Sequence, residues 1–199
     1  LLWNLEITAT FLEENSHELL GKVKQFRERI LQEKAYSIIS RDSHGHSPSF
    51  FLVDHLTQKP FAILKESSPE YFSSFERLLP NMSLSSPVWE REMMGYDMDQ
   101  ILGFQRSPVI LGVEFLCYGK RVRGTVQEYV EDSSAMRDHL FQENGADIFE
   151  DLAKGEVHRA ILSGIIKGRG AGNLDNYLIV TQESEKKILD IDLEECLIL

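Results

Sequence analysis

Between Tyr36 and Lys65 lie three short runs of β-branched and aromatic residues, separated by turn-forming residues, and this pattern fixes an antiparallel meander early in the chain. The runs are Tyr36-Ser37-Ile38-Ile39-Ser40, Phe50-Phe51-Leu52-Val53-Asp54 and Pro60-Phe61-Ala62-Ile63-Leu64-Lys65. Arg41 to Pro48, with His44-Gly45-His46 at its centre, is turn chemistry, and His55 to Lys59 is the second turn. Connections this short bring neighbouring strands back antiparallel, because a parallel return needs a crossover of roughly a dozen residues.

The rest of the chain surrounds this meander with helices and further strands. Leu12, Leu19, Leu20, Val23, Phe26, Ile30 and Leu31 recur at helical spacing and predict an amphipathic helix over 12–35, packed on its own domain or offered to a protein partner. A Ser- and Pro-rich loop follows the meander from Ser67 to Pro87. The pattern then predicts a helix over 88–104 and strands over 109–117 and 122–130. Beyond Val130 it predicts a short helix over 134–142 and a longer one over 147–166, with Ile148, Leu152, Val157, Ile161, Leu162 and Ile165 as its apolar positions. Lys167-Gly168-Arg169-Gly170-Ala171-Gly172-Asn173 precedes a final pair of strands over 177–180 and 187–191. The order predicts an α+β chain in two lobes. Its segments are an N-terminal helical segment (1–35), an antiparallel sheet with one helix (36–130) and a helical lobe with a strand pair (131–199).

Composition narrows the function. The 199 residues are 42% hydrophobic and 27% charged, as in globular domains. A net charge of −11 argues against a nucleic-acid binder, which needs a basic stripe for phosphates. Two cysteines, Cys117 and Cys196, without zinc spacing, exclude a disulfide-stapled scaffold and suit a reducing, cytoplasmic setting. No apolar run reaches the ~20 residues a spanning helix needs. Lys120-Arg121-Val122-Arg123, with Lys167 and Arg169, reads either as a solvated hairpin or as a patch for an anionic surface. The raw ends, Leu1-Leu2-Trp3 and Leu197-Ile198-Leu199, read as those of a fragment.

Four features sit where phosphoryl transfer would need them. Ser43 and Gly45, in the first turn, can lay backbone N–H groups over the phosphates of a nucleotide. Lys65, at the end of an apolar strand, can pair with phosphates if a carboxylate holds it. Glu90 and Glu92 lie in the first turns of the following helix, and Glu92 is the preferred partner, 27 residues on. Gln127-Glu128-Tyr129-Val130 leads out of a strand as a hinge that can read an adenine edge through its backbone. Asn176 and Asp192 flank the final strand pair, with Asp190 two residues earlier, and hard oxygen ligands there suit Mg²⁺. The turn, the lysine, the acid and the terminal pair have plainer readings as a hairpin turn, a solvated strand-end lysine, a helix-start acid and an acidic terminal strand, and nothing in the hinge residues alone demands their role.

Two blocks of sequence resemble the phosphatidylinositol 3-/4-kinase family, nearest the type II 4-kinases. The first runs from Pro60 to Glu66 and then from Glu90 to Phe104, ending in Leu102-Gly103-Phe104 with Pro108 just after. The second runs from Gly172 to Ile179, followed by Ile188-Leu189-Asp190-Ile191-Asp192. The resemblance covers roughly Tyr36 to Leu193. It implies a two-lobed, protein-kinase-like fold with its C-terminal lobe truncated, binding ATP and Mg²⁺ and phosphorylating an inositol lipid at a membrane surface. It places Lys65 on the phosphates with Glu92 as its partner, Gln127 to Val130 at the hinge, and Asn176 and Asp192 on the metal. The family carries its catalytic Asp five residues before the Asn, where this chain has Ala171, and Asp175 is the nearest carboxylate. Ala171 and the single-glycine turn motivate one alternative, a pseudokinase acting as a nucleotide-binding or interaction module; a kinase with a protein substrate is another, since kinase-like folds change acceptor.

Overall fold

The structure is a computed structural model, and it describes residues 17–32, 35–40, 49–66, 88–117, 120–141, 152, 155–167, 173–182, 185–191 and 193. The turn over 41–48 that holds Ser43 and Gly45, the loop over 67–87, Ala171 and Asp192 lie outside the described residues. The chain is mixed α+β with antiparallel sheets and divides into two compact units. One unit is drawn from Leu1–Met93 and Val109–Tyr129, the other from Met94–Pro108 and Val130–Leu199.

The first unit is built on a five-stranded sheet in the order β1-β2-β3-β5-β4. Its strands are β1 (Tyr36–Ser40), β2 (Ser49–Asp54), β3 (Pro60–Glu66), β4 (Ile110–Cys117) and β5 (Lys120–Glu128). All neighbours are antiparallel, and β3 pairs with β5 across the helix α2 (Val88–Ile101) that separates β3 from β4 in sequence. Asp54 sets the turn into β3, since its Oδ1 accepts the Leu56 and Thr57 N–H groups at 2.9 and 3.0 Å. Period-two alternation puts Leu52, Ala62, Leu64, Leu111 and Val126 on one sheet face, and all five are buried. Helix α1 (His17–Leu31) is tied to the sheet by a hydrogen bond and a cation–π contact. The Tyr36 hydroxyl donates to the Ile30 carbonyl at 2.8 Å, and the Arg29 guanidinium lies 4.1 Å from the centre of the Phe61 ring.

Helix α2 stops at Ile101, short of the expected Phe104, because Gly103 adopts a left-handed φ of 71°. Its N–H bonds the Gln100 carbonyl, an end that glycine makes without strain.

The second unit holds a three-stranded antiparallel sheet in the order β6-β7-β8: β6 (Ser133–Ala135), β7 (Tyr177–Gln182) and β8 (Glu185–Asp190). Helix α3 (Met136–Leu140) follows β6, so the helix expected from Ser134 gives its first residues to a strand. Helix α4 (Glu156–Ile166) begins nine residues later than the pattern suggests. Gly155 precedes it with a φ of 80°, and Leu152 instead forms a parallel bridge with Lys186. Met136, Leu152, Ala160, Ile179 and Ile188 form the apolar core.

Of the apolar stripe expected on α4, Val157 packs against this core, but the rest faces the other way. Ile161, Leu162 and Ile165 are exposed, at 56%, 49% and 70%, while Glu156, Ala160, Ser163 and Lys167 point inward. The inward positions recur at helical spacing, but most of them are polar.

Candidate functional site

Lys65 and Glu92 meet in the first unit. Lys65 stands near the end of β3, Glu92 in the second turn of α2, and the Lys65 Nζ lies 2.5 Å from Glu92 Oε1. The Glu92 side chain is 3% exposed and that of Lys65 is 21%, so the acid is sealed while the cation keeps an outward edge. A buried carboxylate is costly unless paired and hydrogen-bonded, and Glu92 has both kinds of partner. Its Oε2 accepts a hydrogen bond from the Thr125 hydroxyl of β5.

Two glycines explain how the three residues come together. Lys65 is paired with Thr125 across the β3–β5 ladder, and Thr125 with Gly112 across β4–β5. Above Gly112 the space a Cβ would take is filled by the Met93 and Trp89 side chains, so α2 rests directly on β4 there. That seating brings Glu92, beside Met93, onto the face that carries Lys65 and Thr125. At Gly124 a Cβ would collide with the Lys65 carbonyl, so only glycine allows β5 this close to β3.

The expected hinge residues continue along β5. Gln127 is 3% exposed, and its Oε1 has no hydrogen-bond partner among the described residues. Its register partners are Ile63 and Ile110. Glu128 is exposed; its N–H donates to the Val109 carbonyl at 2.8 Å. The Tyr129 N–H donates to the Phe61 carbonyl at 2.9 Å, and its ring meets Phe51 edge-on at 5.9 Å. The Val130 carbonyl, in the second unit, accepts from Ser133 Oγ at 2.8 Å.

The expected metal ligands meet different fates. Tyr177 pairs with Asp190, and the Ile191 N–H donates to the Asn176 carbonyl at 2.9 Å, so Asn176 lies beside Ile191. Asp190, also expected on the metal, is buried among polar partners. Its Oδ2 lies 3.0 Å from Lys167 Nζ and accepts from Ser163 Oγ at 3.1 Å, and its Oδ1 lies 3.9 Å from Arg106 Nε. The carboxylate is thus held against an ammonium, with a guanidinium close by. Among the described residues no group of three or more His, Cys, Asp or Glu is arranged to hold a metal. Asp175 also has a partner, since Arg137 Nε lies 2.9 Å from its Oδ1 at the surface, with side chains 50% and 44% exposed.

Lys167 belongs to no basic patch. It is fully buried, 2.8 Å from Asp99 Oδ1 as well as 3.0 Å from Asp190. Arg106 extends the network, with Nη1 2.8 Å from Glu156 Oε1 and Nη2 2.5 Å from the Ile188 carbonyl. Asp99 Oδ2 also accepts the Arg106 and Ser107 N–H groups at 2.6 and 3.0 Å. Sequence reasoning missed this cluster. Of the basic bend, Arg121 and Arg123 both pair with Glu114 across the β4–β5 ladder.

No protein-family model matches the chain, and no curated protein matches it either. Among the described residues no helix is long and apolar enough to cross a membrane.

Proposed function

We propose that the chain is an ATP-dependent phosphotransferase of the two-lobed, kinase-like fold, moving the γ-phosphate of ATP onto a phosphoinositide. The 2.5 Å contact between Lys65 Nζ and Glu92 Oε1 supports this reading most directly. Phosphoryl transfer relies on positioning and charge neutralisation, and a lysine held by a sealed helix glutamate is a part that such chemistry uses. The order β1-β2-β3-β5-β4 with a helix between β3 and β4 supports it too, because it sets that lysine and that acid side by side from distant parts of the chain. The likeness of Pro60–Glu66, Glu90–Phe104 and Gly172–Ile179 to phosphatidylinositol 3-/4-kinases supports a phosphoinositide as the acceptor. In this reading Asn176 and Asp192 would hold Mg²⁺, which when bound neutralises phosphate oxygens.

A second reading, a nucleotide-binding module without transfer, is favoured by Ala171 at the position of the family's catalytic acid and by the surface ion pair that engages Asp175.

The test is a melting curve with ATP, with and without Mg²⁺, followed by incorporation of labelled phosphate into phosphatidylinositol vesicles. The proposal expects a Mg²⁺-dependent rise in melting temperature that is lost in Lys65→Ala, and label in the lipid. No shift in the wild type overturns nucleotide binding. A shift without transfer leaves the second reading standing, and label in protein alone overturns the lipid acceptor.

A further inference from the structure

We infer that Thr125 is a positioning residue that holds Glu92 on Lys65 through its hydroxyl. The inference rests on the phosphate-binding role proposed for Lys65 where it concerns nucleotide, and on geometry alone where it concerns the lysine. Thr125 is 1% exposed and Glu92 2%, so no solvent competes for the bond between them. Glu92 is held at both oxygens, by the Lys65 ammonium at Oε1 and by the Thr125 hydroxyl at Oε2. A glutamate side chain has several rotatable bonds, and a single contact leaves its carboxylate free to swing. Two contacts from adjacent strands fix both its position and the plane of its oxygens.

The arrangement is directional. The hydroxyl donates to the carboxylate, which leaves the carboxylate charge to face the ammonium rather than to sit unbonded in a dry site. Remove the hydroxyl and Oε2 is a buried acceptor with nothing to bond, a state that a buried carboxylate relieves by turning away. Lys65 then loses the carboxylate that aims it. Nothing about this role is visible in β-propensity, since valine suits a strand interior as well as threonine does.

The experiment compares Thr125→Val, which keeps the shape, with Thr125→Ser, which keeps the hydroxyl. Trace acetylation of the whole chain, read by mass spectrometry across a pH series, reports how readily the Lys65 amine reacts. Thr125→Val is expected to raise Lys65 labelling by about tenfold or more, the low end of what one hydrogen bond to a charged group contributes, while Lys59 labelling stays unchanged. Thr125→Ser is expected to return Lys65 labelling to near the wild-type level. Circular dichroism melts confirm that both variants are folded. Unchanged Lys65 labelling in Thr125→Val overturns the inference, and so does an equal rise in both variants, which makes packing the cause. A parallel titration with a fluorescent ATP analogue separates the two proposals. Weaker binding in Thr125→Val, rescued by Thr125→Ser, supports both. A wild-type chain that binds no nucleotide, yet shows hydroxyl-dependent Lys65 protection, keeps the role of Thr125 and overturns the phosphate role of Lys65.

Discussion

The Lys167 ammonium, fully buried at the end of α4, lies 2.8 Å from the Asp99 carboxylate on the last turn of α2. Asp190 holds the same ammonium from its other side. Breaking a buried pair by removing one partner costs far more than the pair is worth, because the other charge stays behind. Lys167→Met is therefore expected to destabilise the fold by about 3–5 kcal/mol in urea denaturation. Combining it with Asp99→Asn and Asp190→Asn is expected to recover much of that loss. A single variant that unfolds at the wild-type urea concentration would remove Lys167 from the stabilising network.

The two glycines that seat the Lys65 site differ in what they touch. A methyl group at Gly124 meets the Lys65 carbonyl, which is backbone within a paired strand and has nowhere to go. One at Gly112 meets the Met93 sulfur, near the end of an adaptable side chain. Gly124→Ala is expected to cost about 1–3 kcal/mol, the usual range for overpacking, and Gly112→Ala clearly less. Melting curves of the two variants decide it, and the reverse order would mean that the β3–β5 contact is not the tight one.

Asp54 gives the chain an acid-sensitive contact. The Thr57 N–H, the Arg29 guanidinium and the Leu56 N–H together lower its pKa from 3.8 to about 2. A folded-state value below the unfolded one adds stability above pH 3.8, and that contribution drains away as the pH falls through about 2. Asp54→Asn is expected to melt below the wild type at pH 6 and level with it once the pH is under 2. A gap that persists unchanged into strong acid would show that the carboxylate charge is not what stabilises this turn.

Asp97, half-buried on α2, is shifted the other way, because burial disfavours its charge and raises its pKa. The sign reverses accordingly. The charged form costs stability at neutral pH, and the cost disappears as the pH drops below the unfolded value and both states carry the proton. Asp97→Asn is expected to raise the melting temperature at pH 7 and to leave it unchanged at pH 3. A lower melting temperature at pH 7 would mean that the carboxylate makes a contact worth more than its burial costs.

The strands of the larger sheet were legible because their residues announce them. Tyr36–Ser40 keeps its expected bounds, and the neighbouring strands differ by a residue or two at their ends. Ser133–Ala135 was not, since Ser-Ser-Ala has no strand character and is a strand only because β7 lies beside it. Helix α4 misled in a more basic way. Its sequence shows an apolar stripe, and a stripe normally faces the core. Here Glu156 and Lys167 turn inward because Arg106, Asp99 and Asp190 wait for them, and those partners lie 50, 68 and 23 residues away. Spacing along one helix cannot report charges that arrive from elsewhere. The Lys65 and Glu92 pairing was readable as a strand-end lysine followed by a helix-start acid. Thr125 was not, because in a strand with Val122 and Val126 it reads as one more β-former.

The position of β3 in the sheet has a consequence for how the protein opens. Among the described residues it is the middle strand of five, bonded to β2 on one side and to β5 on the other, while β1 and β4 are the edges. Amide protons exchange with solvent only when their strand separates, and a central strand separates after its edges fray. Lys65, and through the β5 ladder Thr125, therefore ride on the backbone expected to exchange most slowly in this unit. Partial openings that loosen β1 or β4 leave the lysine, the glutamate's hydroxyl donor and the ladder between them in register, so the site should outlast much of the sheet that surrounds it.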